Sequence, residues 1–163
     1  MGRGLNMEDK KNQSLQDLFN ILKDIYQNQM PFDKLLGIKV EKITIDEVRV
    51  RIDMREELIG NFVRGSLHGG VISSILDLTG GLVASVGMIQ QMYDLPMEEI
   101  GRRLAKIGTI DLRVDYLRAG QGQYFIASGN ILRTGNKVAV IRMEFHNNKN
   151  LLIAAGTGTY LIG

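Results

Sequence analysis

The stretch Leu67-His68-Gly69-Gly70-Val71-Ile72-Ser73-Ser74-Ile75-Leu76-Asp77 decides how the chain is read. It opens on a glycine pair. Gly80, Gly81, Ala84 and Gly87 follow, so one apolar, small-residue-rich segment extends from about residue 68 to about residue 93. Its spacing predicts a single long helix. Val71, Ile75, Leu78, Leu82, Val86 and Ile89 form one continuous apolar stripe, expected to press on a sheet. Ser73, Asp77, Gly80, Ala84 and Gly87 form a second stripe, small throughout except for the carboxylate. Such a stripe allows either close approach of another backbone or room for a ligand. An ionised carboxylate among apolar residues is costly unless it is paired or used, which singles out Asp77.

Outward from this helix the chain falls into order. Residues 1–12 are polar and expected to be a loose tail, with Met7 a plausible natural start. Residues 13–163 read as one domain. Ser14 is the expected N-cap of an amphipathic helix carrying Leu15, Leu18, Phe19, Leu22, Ile25 and Tyr26. Pro31 opens a short turn that ends at Gly37. Ile38–Ile45, with a phase change near Lys42, and Val48–Met54 predict a hairpin. Arg55 to Gly65 is expected to be irregular. A short helix from Pro96 to about Leu104 and four strands, at about 108–117, 123–134, 137–146 and 151–162, complete the chain. Short glycine- or asparagine-bearing turns make those last four strands expected antiparallel neighbours. The result is an α+β domain: a six-stranded antiparallel sheet curled around the long helix, with an extra N-terminal helix.

Composition excludes several classes. Of 163 residues, 44% are hydrophobic and 23% charged, which is ordinary globular usage. A net charge of +2 makes no electrostatic case for nucleic acid. There is no cysteine, and the only histidines are His68 and His146, so neither a disulfide nor a metal centre is expected. Met1-Gly2-Arg3-Gly4 lacks the apolar core of a signal peptide. The apolar run at 71–89 is broken by Asp77, glycines and serines, so no membrane span is expected and the cytoplasm is the expected location.

Helix geometry adds a constraint. His68 and Asp77 are nine residues apart, so they lie on opposite sides of the helix and about 13 Å apart along it. If both serve one site, they meet across a two-fold axis, one from each subunit of a homodimer. Gly69 and Gly70 place unpaired amides at the helix entrance, where the dipole favours negative charge. Such an end polarises a carbonyl and holds an oxyanion. A carboxylate delivered by the other subunit then activates water or attacks directly. The combination suits acyl transfer to water.

Leu67-His68-Gly69-Gly70 followed by Asp77 resembles the HGG…D motif of hotdog-fold acyl-CoA thioesterases of the phenylacetate-pathway type. Gly108-Thr109-Ile110-Asp111-Leu112-Arg113-Val114-Asp115-Tyr116-Leu117-Arg118 and Gly135-Asn136-Lys137-Val138-Ala139-Val140 resemble a bacterial branch associated with medium- and long-chain acyl-CoA. The resemblance covers about residues 30–163. It implies a hotdog fold, a homodimer that pairs into a tetramer, and sites at the subunit interface. It implies that Asp77 is the catalytic base or nucleophile, that the Gly69–Gly70 helix end polarises the thioester carbonyl, and that His68 supports that end. Asn61 matches a water-positioning asparagine, here one residue further from the histidine. Thr109 aligns with a hydroxyl placed beside the catalytic acid. Each has a structural alternative: Asp77 as a paired group, His68 as a loop-holding histidine, Asn61 as a turn residue, Thr109 as a strand residue.

Coenzyme A brings phosphates, and it arrives as part of the substrate, so no resident cofactor is expected. Arg64, Arg113, Arg118, Arg133 and Lys137 are the candidate cations. The Gly135-Asn136-Lys137 turn is the first choice, because Asn136 and its neighbours expose turn amides beside a lysine. Rival readings are a hotdog hydratase or dehydratase, which the HGG entrance fits poorly, and a non-catalytic acyl-CoA-binding protein, which has no use for Asp77.

Overall fold

The computed structural model describes residues 7–163. The chain opens with α1 (Met7–Asp24), continues through a π-helical turn (Ile25–Gln29) and enters the short α2 (Pro31–Leu36). Leu15, Leu18, Phe19, Leu22 and Tyr26 are buried, as their spacing anticipates. The start differs from expectation. Ser14 lies inside α1 and caps nothing, and residues 7–12 of the expected tail are helical. Met, Glu, Lys and Gln are strong helix formers, so polarity alone does not make that segment loose. Residues 1–6 of the expected tail lie outside the described residues. Gly37, at φ +70°, ends α2 in the left-handed region.

The strands β1 (Lys39–Ile43) and β2 (Val48–Asp53) form the anticipated hairpin. The phase change near Lys42 is a register shift between Val40 and Lys42. The connection after β2, expected to be irregular, contains a 3-10 turn (Glu56–Leu58) and a small ribbon of β3 (Ile59–Asn61) with β4 (Ser66–Leu67). Then come α3 (Gly69–Met92), α4 (Met97–Leu104), β5 (Gly108–Tyr116), β6 (Tyr124–Thr134), β7 (Val138–Asn147) and β8 (Leu152–Leu161).

The six-stranded antiparallel sheet has the order β1-β2-β6-β7-β8-β5. This corrects one expectation: β5 and β6 follow each other in sequence yet do not pair. β5 is an edge strand beside β8, and β6 lies between β2 and β7. Their link cannot be a hairpin because it crosses the entrance of α3. There the Gly120 carbonyl accepts the Leu67 amide at 2.9 Å. A Cβ on Gly120 would lie 2.9 Å from that of Leu67.

The sheet wraps α3. Val50, Ile52, Phe125, Ala127, Ile141, Met143 and Phe145 turn inward and are buried. Phe125 and Phe145 stack at 5.3 Å. Each such aliphatic or aromatic residue contributes about 1.5–3 kcal/mol by leaving water. The apolar stripe read from sequence is only part of the buried face. Val71 and Leu78 remain half-exposed, whereas Ile72, Leu76, Thr79 and Val83 are buried. From Thr79 to Ile89 every residue of α3 is buried, because α1 covers the side the sheet leaves open. Tyr26 of the π-helical turn approaches Ser85 there, with 3.5 Å between hydroxyls. By length and apolarity α3 passes for a membrane span, but it is mostly enclosed by protein.

Candidate active site

His68 enters α3 in extended conformation, as its N-cap. Its Nδ1 accepts the Gly70 amide at 2.9 Å. Its carbonyl accepts the Val71 and Ile72 amides at 3.0 and 3.3 Å. A nitrogen that accepts carries no proton, so the ring proton sits on Nε2. His68 therefore works here as a helix cap, which is the loop-holding alternative in a specific form. It also distinguishes the two glycines. The Gly70 amide is taken, while nothing among the described residues accepts from the Gly69 amide. Tyr116 of β5 donates its hydroxyl to the Gly69 carbonyl at 3.1 Å, tying the helix tip to the edge strand. Beside the tip opens an apolar cleft of about 350 Å³, walled by Phe32, Leu35, Leu58 and Val71.

Asp77 lies two turns further along. Thr109 donates to its Oδ1 at 2.8 Å. Tyr160 of β8 donates to its backbone carbonyl at 3.1 Å and lies 3.4 Å from Oδ1. Burial, reinforced by the charge of Asp77, raises the Tyr160 hydroxyl well above the tyrosine range, so it stays protonated and donating. Thr109 reaches Asp77 because β5 carries a register shift between Thr109 and Asp111. That shift places Thr109 on the same inward face as Leu112, Val114 and Tyr116, and leaves Ile110 exposed.

Tyr160 also settles the second stripe of α3. A Cβ on Gly80 would fall 2.0 Å from the Tyr160 hydroxyl, and one on Gly87 would fall 2.6 Å from Ile131 Cδ1. These glycines admit close packing and leave no channel for a ligand beside them. Neither Tyr160 nor Tyr116 was singled out by sequence. Their hydroxyls reach α3 from positions 83 and 47 residues away, a separation no local pattern encodes.

The other candidates are dispersed. Asn61 accepts the Arg64 amide through Oδ1 at 3.1 Å, so its carbonyl is used inside the β3–β4 turn, the turn-residue alternative. Arg64 is exposed at that turn, and its carbonyl accepts from Gln121. Arg113 faces outward from β5 and pairs with Asp115 at 3.0 Å. Arg118 donates to the Leu152 carbonyl at 2.9 Å. Arg133 is exposed on β6. Asn136 and Lys137 form the β6–β7 turn, and the Lys137 carbonyl accepts the Ile162 amide at 2.8 Å. Asn136 lines a groove at the far end of α3, with Arg102, Arg103 and Lys106. Within the one chain the structure thus unites Asp77 with Thr109, and His68 with the glycine pair. The two groups stay about 12 Å apart along a continuous helix.

Comparison with known proteins bears on what this arrangement does. A profile described as "Thioesterase superfamily" matches residues 64–154. The Escherichia coli K12 protein named medium/long-chain acyl-CoA thioesterase YigI is 41% identical over 140 residues, covering 86% of this chain and 90% of that protein. A Shewanella oneidensis crystal structure related to the thioesterase superfamily is 44% identical, with a TM-score of 0.88 over 91% of this chain and 97% of that one. A crystal structure from Syntrophus aciditrophicus is 43% identical, with a TM-score of 0.81 over 94% and 99% of the two chains.

Proposed function

The chain belongs to the thioesterase superfamily, and from that premise we propose that it hydrolyses acyl-CoA thioesters to the free acid and coenzyme A, with Asp77 as the reacting carboxylate. The substrates proposed are medium- to long-chain, in line with the name of its relative YigI. One observation carries the reading. Asp77 is half-exposed on a rigid helix, with Oδ1 held by Thr109 at 2.8 Å and Tyr160 close behind. A carboxylate so fixed keeps its second oxygen for chemistry.

Acting as a base, that oxygen takes a proton from water as the water oxygen bonds to the thioester carbon. The carbonyl oxygen becomes an oxyanion. When the tetrahedral adduct collapses, the carbon–sulfur bond breaks and the proton returns to the departing thiolate. Acting as a nucleophile, the same oxygen bonds to the carbon itself and the carbon–sulfur bond breaks, expelling the thiolate; water then cleaves the mixed anhydride, freeing the acid and Asp77 and supplying the proton that the thiolate takes up. In either route the free Gly69 amide is the natural donor for the oxyanion, aided by the helix dipole. Asp77 cannot reach the Gly69 of its own chain, about 12 Å away. The proposed site therefore joins Asp77 of one protomer to the helix tip of a second copy, in a dimer or a dimer of dimers. The apolar cleft beside that tip suits the acyl chain. The proposed setting is the cytosol, in fatty-acid metabolism.

The test is thiol release from a panel of acyl-CoAs. Asp77→Asn is expected to lose about 10²–10⁴-fold in kcat. A variant as fast as wild type on the best substrate would overturn the assignment.

A further inference from the structure

We propose that the groove between α4, the C-terminal half of α3 and the β6–β7 turn receives the nucleotide end of coenzyme A, with Arg102, Arg103 and Lys106 holding its phosphates. This rests on the acyl-CoA reading above and extends it to the far end of the substrate.

The groove encloses about 410 Å³. Its floor is apolar, made by Met88, Met92 and Ile162. Its rim is cationic, made by Arg102, Arg103 and Lys106, with Asn136 on the opposite wall. An apolar floor under a purine and a rim of cations for phosphates is the pairing that an adenosine bearing several phosphates requires. Among the lining residues, which also include Gly163, Glu99 is the one carboxylate side chain. It pairs with Arg102, and with Arg103 at 2.7 Å. A single carboxylate shared by two guanidinium groups orients both and leaves the rim with excess positive charge. Each guanidinium has five N–H donors, so donors remain for phosphate oxygens. Both arginine side chains are open to solvent, at 71% and 49%.

Position supports the same occupant. Lys106 precedes Thr109 by three residues, which keeps its backbone within about 10 Å of the residue that holds Asp77. Met88 lies eleven residues beyond Asp77 on α3, about 16 Å along the axis. The arm between the sulfur and the diphosphate of coenzyme A consists of two amide units with their methylene spacers. Extended, it spans about 15 Å at backbone bond lengths. A thioester at Asp77 therefore has this rim within reach of its phosphates. Arg113 and Arg118, two further candidates from sequence, do not line this groove. Asn136, chosen from its turn, does belong to this groove.

The test compares one acyl group carried on coenzyme A and on pantetheine, which lacks the nucleotide. The double variant Arg102→Ala/Arg103→Ala is expected to raise KM for the acyl-CoA about tenfold or more, to change kcat about twofold at most, and to leave acyl-pantetheine kinetics as in wild type. Both side chains are exposed, and Lys106→Ala, beyond the end of α4, gives a second variant with the same expected pattern. Calorimetry with adenosine 3′,5′-bisphosphate supplies a readout independent of turnover: binding to wild type, and weaker binding to the variants. Equal acyl-CoA KM in wild type and both variants, an equal rise with acyl-pantetheine, or no bisphosphate binding to wild type would each overturn the groove assignment. Wild type that binds the bisphosphate but cleaves no acyl-CoA would overturn the proposed activity and leave the groove standing.

Discussion

A methyl group is the smallest probe of the candidate site. Gly80 stands where any Cβ would collide with the Tyr160 hydroxyl at 2.0 Å, and that hydroxyl is bonded to the Asp77 carbonyl. Gly80→Ala is expected to push Tyr160 off α3, costing about 1–3 kcal/mol of stability by overpacking and lowering kcat with it. Tyr160→Phe keeps the ring and removes only the donor, so it should fold normally and lose activity alone. Thermal melts and steady-state rates on the two variants separate the effects. Asp33 offers a second test at this scale. It is buried in α2, its Oδ2 finds no partner among the described residues, and burial raises its pKa from 3.8 to about 6. Between those values the folded chain holds a proton that the unfolded chain has released. The contribution to stability is therefore complete below pH 3.8 and is lost as pH rises through about 6. Asp33→Asn is expected to gain about 1–2 kcal/mol over wild type at pH 7, and to gain much less at pH 4. Urea melts of both proteins at the two pH values check this.

Among the elements, β5 touches both candidate groups of the chain, the helix tip and Asp77. Tyr116 near its end holds the tip of α3, and Thr109 near its start holds Asp77. Strict alternation from Tyr116 back through Val114, Leu112 and Ile110 would have sent Thr109 outward. The register shift after Thr109 reverses that, and a one-residue irregularity of this kind leaves no trace in hydrophobic spacing. Thr109→Ser keeps a hydroxyl at the same place and is expected to retain most activity. Thr109→Val keeps shape but not the hydrogen bond, and is expected to lose about tenfold in kcat, the order of one charge-assisted bond. Rates of the two variants on one acyl-CoA decide the matter. The same register explains why the hairpins β1–β2, β6–β7 and β7–β8 were readable from their turns, whereas the β5–β6 link was not: its length resembles a hairpin loop, but it must pass over a helix end.

For the whole molecule, the amino-acid order revealed the helix in its sheet because α3 is distinctive: long, apolar and entered through His68-Gly69-Gly70. Asp77 was equally visible, being the sole acidic residue between Glu57 and Asp94. What escaped reading was everything contributed from elsewhere in space, namely Tyr160, Tyr116 and the cations of α4 grouped with Asn136. The packing of α1 against the rear of α3 escaped for the same reason, since a stripe read on one helix says nothing about what covers its back. Assembly belongs to this scale as well. With β5 unpaired on one side and Asp77 about 12 Å from its own Gly69, the proposed reaction needs a second copy. Light scattering is expected to give two or four times 18.2 kDa, and a fully active monomer would refute a shared site.

Because α3 is one unbroken helix from Gly69 through Asp77, the segment between them acts as a ruler. Adding or deleting a single residue there would turn the carboxylate by about 100° and slide it about 1.5 Å, away from Thr109. The turn at 62–65, exposed throughout, has no such gauge to keep and can change length without moving either end of the helix. Insertions and deletions should therefore be tolerated a few residues before His68 and inactivating a few residues after it.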